Sequence, residues 1–149
     1  MRVADKWKDY ALIDAACGER LERWGDYTLI RPDPQVIWGG EKKDKRWKTA
    51  NGIYRRSRSG GGEWLKKEMP EEWNIADSEL KVSISPRGFN RTGLLPEQAA
   101  NWDWFSRLIS ESGREIRLLN LFADTGGSIV AAAKAGAFVC HVVASKGMT

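Results

Sequence analysis

Histidine and cysteine are scarce in this chain. One histidine and two cysteines occur in 149 residues. Cys17 and Cys140 stand far apart and form no CxxC or other metal-ligand spacing. With a single imidazole beside them, the chain has no ligand set of its own for zinc or haem. Long apolar runs are missing too. No stretch approaches the roughly 18 residues that a membrane span needs. The opening MRVADKWKDYALIDAACGER lacks the apolar centre of a secretory signal. These absences lead us to expect a cytoplasmic protein with reduced thiols, no metal and no membrane partner. Charge of one sign is not in large excess either. The 24 Lys and Arg against 20 Asp and Glu give a net charge of +4. That balance permits a nucleic-acid partner without requiring one.

What is present is a globular composition. Hydrophobic residues make up 42% of the chain, and eight are tryptophan, which is too apolar and aromatic for a disordered segment. The length suits one ordinary domain, and no repeat or low-complexity tract interrupts it.

The first 40 residues read as short strands and turns. Tyr10-Ala11-Leu12-Ile13 is a compact apolar run, Cys17-Gly18-Glu19 a turn, and Leu21-Glu22-Arg23-Trp24 a further segment before Gly25-Asp26. Tyr27-Thr28-Leu29-Ile30 alternates like a strand. Arg31-Pro32-Asp33-Pro34 should end it, because proline cannot donate to a central ladder. Residues 39–63 are polar and basic and admit two readings. One is a solvated loop or two-stranded excursion. The other is an RNA- or DNA-facing surface, with Arg55, Arg56 and Arg58 on phosphates and Trp47, Tyr54 and Trp64 stacking on bases.

Leu80-Lys81-Val82-Ser83-Ile84-Ser85 alternates as a half-buried strand does. Pro86-Arg87-Gly88 turns the chain, and Phe89-Asn90-Arg91-Thr92-Gly93 leads to a helix with Pro96 at its first position. Two stripes at helical spacing follow, Ala100/Trp104/Leu108 and Trp102/Phe105/Ile109, with Gly113 as the C-terminal cap. Trp102 and Trp104 read as core. Arg117 to Phe122 carries apolar residues on both faces, as a buried parallel strand would. After the turn Ala123-Asp124-Thr125-Gly126-Gly127, Ser128 to Ala135 reads as a helix closed by Gly136, and Phe138 to Val143 as a second strand parallel to the first.

A glycine turn between strand and helix brings backbone N–H groups to the sheet's C-terminal edge, and glycine lets a ligand approach them. The turn fits neither GxGxxG nor the phosphate loop GxxxxGK[ST]. Acid plus glycines suits a cationic nucleoside such as S-adenosylmethionine, with Asp124 near the sulfonium. The alternative is a turn that only links strand to helix.

FNRTGLLPEQAANWDW and LLNLFADTGGSIVAAAKAGAFVCHVVASKGM together resemble the class I S-adenosylmethionine-dependent methyltransferases related to bacterial large-subunit ribosomal RNA cytosine methyltransferases. LIDAACGERLERWGDYTLIRPDPQVIW and YRRSRSGGGEW resemble the small β-rich N-terminal part of the same group, so the likeness covers nearly the whole chain. It implies an α/β fold: a β-rich region at 1–88, then at 89–149 the first β-α-β unit of an incomplete Rossmann-like sheet. It implies a cofactor set of Phe89, Thr92, Gly93, Gln98, Asn120, Phe122, Ala123, Thr125, Gly126 and Gly127, to which the reading of the turn adds Asp124, while the reading of the basic segment leaves Arg55, Arg56, Arg58 and Trp64 as the RNA set.

The sequence departs from that pattern in three ways. Val143 stands where HVDASKGM would supply an acid for the ribose hydroxyls. Asp124 stands where an aromatic or small residue is usual. The sheet is incomplete, with no Asp-Pro-Pro-type loop, and neither Cys17 nor Cys140 is placed as the nucleophile that cytosine C5 methylation uses. The resemblance thus implies the N-terminal part of an RNA methyltransferase, ribosomal RNA being the expected substrate, cut after its second strand and inactive alone. The alternatives are a non-catalytic RNA-binding module and a decayed remnant. A complementing chain, or self-association through the incomplete sheet, is expected as a further partner.

Overall fold

The computed structural model describes residues 3–57, 61–77, 80–86, 92–121 and 125–144. The chain divides into two compact units, Lys6–Gly93 and Leu94–Thr149, the latter joined by the first five residues.

The first unit is built on a five-stranded sheet in the order β1-β2-β3-β4-β5. β1 (Tyr10–Ala16), β2 (Glu19–Trp24) and β3 (Tyr27–Pro32) form an antiparallel meander. Cys17 and Gly18, at φ 53° and 76°, make the first hairpin turn with both central residues left-handed, which matches the twist of the flanking strands. Pro32 falls at the end of β3, past its two-residue parallel pairing with β4 (Gly52–Arg56), where its missing N–H does not interrupt the ladder. β4 then pairs antiparallel with β5 (Gly62–Lys67). The basic segment is therefore a hairpin preceded by a short helix, α1 (Arg46–Thr49).

Leu21, Ile30, Trp47 and Ala50 form the apolar core on one side of this sheet, with Ile13 and Ile53 packed against them. A register break between Leu12 and Asp14 marks a β-bulge, which re-aims side chains. The Asp14 carboxylate accepts from the Trp47 indole N–H at 2.7 Å and from the Ala15 amide at 2.8 Å.

A charged group is buried in the same sheet. Glu22 is fully buried, and its carboxylate takes two bonds from Arg31, Nε at 2.7 Å and Nη2 at 3.0 Å. The Tyr10 hydroxyl donates to it at 2.9 Å, Arg20 approaches to 3.4 Å, and the Arg31 guanidinium lies 5.2 Å from the Trp24 ring centroid. Burial, then the Glu22 charge and the hydrogen bond to it, hold the Tyr10 phenol protonated well above its ordinary pKa of 10.0.

β6 (Trp73–Asp77) and β7 (Leu80–Ile84) form a separate antiparallel hairpin, with Ile75 and Ile84 buried. It is tied to the meander by the Trp73 indole N–H on the Trp24 carbonyl at 3.0 Å and by the Ala76 amide on the Asp9 carboxylate at 2.8 Å.

The second unit opens with a 3-10 turn, Pro96–Gln98, that places proline at the helix start. α2 (Ala99–Ser110), β8 (Arg117–Leu121), α3 (Gly127–Lys134) and β9 (Phe138–Val142) follow. β8 and β9 pair in parallel, from Arg117↔Phe138 to Leu121↔Val142. Ile109, Ala132 and Ala137 form the core, with Phe105, Ile116, Leu118 and Val139 against it.

Two expectations about burial are corrected here. Only one stripe of α2 is covered, through Trp102 and Ile109, while Trp104 is 38% and Leu108 51% exposed. β8 is not buried on both faces either. Leu119 and Leu121 are 60% and 53% exposed, and Phe138 across from Arg117 is 65% exposed. Helices cover only one side of this strand pair. Among the described residues no helix is long and apolar enough to cross a membrane, and no cluster of metal-ligating side chains occurs.

The buried pair in the meander sets two predictions. Arg31→Met leaves Glu22 buried without its partner and should cost about 3–5 kcal/mol of unfolding free energy, whereas Glu22→Leu with Arg31→Met should recover most of it; urea denaturation of the three variants checks both. The raised Tyr10 pKa contributes stability that is complete below the unfolded phenol's value near 10 and is lost as the pH rises past it. Tyr10→Phe should flatten that alkaline loss, read as melting temperature between pH 8 and 11.

Candidate cofactor site and basic face

The glycine turn is held by packing. Gly126 has φ +93°, a left-handed conformation that glycine adopts without steric penalty. A Cβ on Gly127 would lie 2.8 Å from the Trp102 ring. The Trp102 indole N–H donates to the Ser128 hydroxyl at 3.0 Å, so the ring is keyed to the first turn of α3 by both shape and a hydrogen bond. The second glycine is thus required by Trp102, a reason for the Gly-Gly pair that makes no use of a ligand.

Further polar groups lie where β8 and β9 end. Strand alternation puts Asn120 on the side of Leu118, and His141 on the side of Val139. Those two apolar residues pack on the helix-side core. Asn120 and His141 are register partners on that covered face. Each has a sealed polar atom without a hydrogen-bond partner, Asn120 Nδ2 and His141 Nδ1. Thr92, in the first unit, is fully buried and its hydroxyl is likewise unpartnered. Buried polar atoms in folded proteins are nearly always satisfied. An orphan at Asn120, near the carboxyl end of β8, therefore fits a residue that completes its bonding with a bound polar molecule.

The remaining implied cofactor residues are distributed as follows. Gly93, at φ +85°, belongs with Thr92 to the first unit. Gln98 sits in the 3-10 turn, its side-chain oxygen accepting from Asn101 at 2.9 Å. Thr125 is exposed and Gly126 buried at the entry to α3. Phe89, Phe122, Ala123 and Asp124 lie outside the described residues, as does Arg58 of the RNA set. Of the described residues of the set, Asn120 lies on β8, and Thr125, Gly126 and Gly127 lie at the entry to α3 of the same β-α-β unit. His141 was missed by sequence reasoning. The available signal was its uniqueness together with its register opposite Asn120.

The basic segment sorts into engaged and open groups. Lys42 lies over Trp47 at 4.4 Å and is paired with Glu19. Arg46 forks onto Asp44 at 2.8 and 2.6 Å, and those bonds bring the Asp44 carboxyl down to about 2. Arg55 and Arg56 are exposed and line a shallow cleft of about 420 Å³ with Ser57, Gly62 and Glu63. The stacking reading is corrected for Trp47 and Tyr54, which are 7% and 2% exposed. Both are core rings. Trp64 is half-buried, edge-on to Tyr54 at 5.4 Å, and its ring lies where a Gly52 Cβ would be. Cys17 and Cys140 are free and exposed.

No family model matches the chain, and no curated protein does either. Solved structures do. A SAM-dependent methyltransferase from Agrobacterium tumefaciens superposes with a TM-score of 0.86 at 34% identity, over 95% of this chain and 46% of that one. The chain has a partial methyltransferase fold. Two further structures share that fold at 20% identity. One, described as a sam-dependent methyltransferase from Streptococcus mutans, has a TM-score of 0.67 over 97% of this chain and 41% of its own. The other, described as a methyltransferase complexed with SAH, has a TM-score of 0.66 over 97% and 40%. The chain spans less than half the length of each. The β-rich unit and the β-α-β unit both lie within the part of the methyltransferase fold that is matched.

The contact at the turn is testable. Gly127→Ala drives a methyl into Trp102 and should cost about 1–3 kcal/mol. Trp102→Leu vacates that space, so the double variant should cost clearly less than the sum of the two singles, as thermal unfolding of all three would show.

Proposed function

We propose that the chain is the N-terminal part of an S-adenosylmethionine-dependent methyltransferase that acts on RNA, ribosomal RNA being the substrate class of the group it resembles. The likeness to the Agrobacterium tumefaciens methyltransferase across 95% of the chain carries the reading. The orphaned amide of Asn120 supports the cofactor. S-adenosylmethionine supplies an electrophilic methyl group on a sulfonium. This chain's residues have the tasks of binding and orientation. The turn at Gly126 and Gly127, locked by Trp102, fixes where backbone amides meet the ligand. Asn120 offers a side-chain amide at the strand end. Arg55 and Arg56 offer phosphate contacts on the β4–β5 hairpin. Neither cysteine is assigned a role as nucleophile, so the methylated atom is not assigned to cytosine C5.

The open side of β8 and β9, with Leu119, Leu121, Phe138 and Val142, is the place where a complementing chain or a second copy packs. A second reading, an RNA-binding module without catalysis, draws on one observation: Val143 stands at the position where the resemblance calls for a ribose-binding acid.

Thermal shift separates these readings. At millimolar concentration, S-adenosylhomocysteine should raise the melting temperature, and Val143→Asp should strengthen that binding by about fivefold or more. A chain that shows no shift and no gain in the variant is not a cofactor binder. RNA affinity should fall steeply with salt, and Arg55→Ala and Arg56→Ala should each reduce the slope of log K against log salt by about 1. A slope unchanged in both variants would remove the hairpin from the RNA site.

A further inference from the structure

Two of the three rings that the sequence offers for stacking, Trp47 and Tyr54, are buried. A different ring is open. Trp38 is 53% exposed, beside Ile37 at 89%. It is also fixed in place. Its indole N–H donates to the Ala15 carbonyl at 2.7 Å, and its own carbonyl accepts from the Cys17 amide at 3.2 Å. Gly39 and Gly40 follow, where a Cβ would meet nothing within 4 Å. The Cys17 thiol donates to the Gly40 carbonyl at 3.4 Å. A large aromatic side chain is thus tethered at the surface, with open space beside the glycines next to it.

The loop that follows carries cations. Trp38 bonds to Ala15 and Trp47 to Asp14, adjacent residues of β1. Residues 39–46 therefore run between two neighbouring anchor points at the end of that strand. Lys42 is turned back onto Glu19, and Arg46 onto Asp44. Lys43 and Lys45, exposed on the same loop, take part in neither pair. Ile37 and Trp38 alone would suit a protein partner. Two open ammonium groups on the adjoining loop favour a polyanion that also offers flat rings, which is a nucleic acid strand. Bases inside a duplex keep their faces in the stack, so the base that meets the ring is an unpaired one.

We propose that Trp38 is a stacking platform for an unpaired base of single-stranded RNA, with Lys43 and Lys45 on the phosphates next to that base. The inference rests on the RNA reading above and deepens it, because it names the kind of RNA segment that is bound.

The probe is a labelled single-stranded RNA of about 12 nucleotides, a length within the range such surfaces cover, titrated with the full chain by fluorescence anisotropy across a salt series. Trp38→Ala should weaken binding by about fivefold or more. The slope of log K against log salt should stay unchanged, because stacking displaces no counterions. Trp38→Phe keeps a ring but loses the indole N–H, and should retain most of the affinity. Binding to a blunt duplex of the same length should be equal in Trp38→Ala and the wild type. The double variant Lys43→Ala with Lys45→Ala should flatten the slope. A loss in Trp38→Phe as large as in Trp38→Ala overturns the platform, since the bond to Ala15 and not the ring face would then matter. An equal loss on the duplex overturns it too. Single-strand affinity unchanged in Trp38→Ala overturns it as well, turns Ile37 and Trp38 towards a protein partner, and leaves the RNA reading to the hairpin arginines. A slope unchanged in the lysine variant overturns the phosphate assignment. A wild-type chain that binds neither RNA overturns the platform and the RNA reading together.

Discussion

A parallel strand pair cannot be closed by a tight turn. The chain has to leave the end of β8, cross back over one face and re-enter beside its own start. That constraint explains the sequence of the second unit. α3 must lie close against the strands it connects, so its buried positions are Ala131 and Ala132. The chain must reverse sharply to enter it, so Gly126 takes a left-handed conformation. Trp102 then fills the space beside the turn, and Gly127 has no side chain because the indole occupies its place. The Gly-Gly pair, the run of alanines and the tryptophan are three consequences of one crossover.

The first unit is organised differently. Its strands are antiparallel neighbours for the most part, and the meander closes through two short turns. Its distinctive feature is a carboxylate in the interior. Glu22 is held by Arg31 and Tyr10 and approached by Arg20, a group of side chains from β1, β2 and β3. Such a network adds little net stability compared with apolar packing, but it penalises any register in which the partners miss each other. The neighbouring bulge acts in the same direction, since it turns Asp14 onto the Trp47 indole.

The two units present different groups. The β-α-β unit has its glycine turn at the carboxyl end of β8, and the β4–β5 hairpin has Arg55 and Arg56 exposed. The side of the parallel pair away from α3 remains apolar and open, and a parallel sheet is ordinarily covered on both faces. The matched methyltransferases are more than twice as long as this chain.

Much of this was legible in the sequence. Period-two alternation gave β3 and β7, and Pro96 gave the helix start. The run from Arg117 to Val143 announced strand, turn, helix and parallel strand, because local periodicity and turn chemistry decide those elements. β6 was not read, nor the short helix at Arg46–Thr49, because neither carries a clear period. Packing partners were beyond local pattern. Trp102 and Trp104 are equally spaced along one helix, yet one is core and the other exposed, because only one stripe meets α3 and the strands. Trp47 and Tyr54 sit among arginines and lysines in the sequence, yet both rings are buried. Apolar residues on both faces of β8 suggested two covered faces, and tertiary structure covers one. The sequence alone thus determined most of the strands and helices and most of the places where the chain reverses. Which side chain meets which, and so why Gly127 must be glycine and why the only histidine stands beside Asn120, was decided by strand register and helix packing, which join residues that the sequence keeps apart.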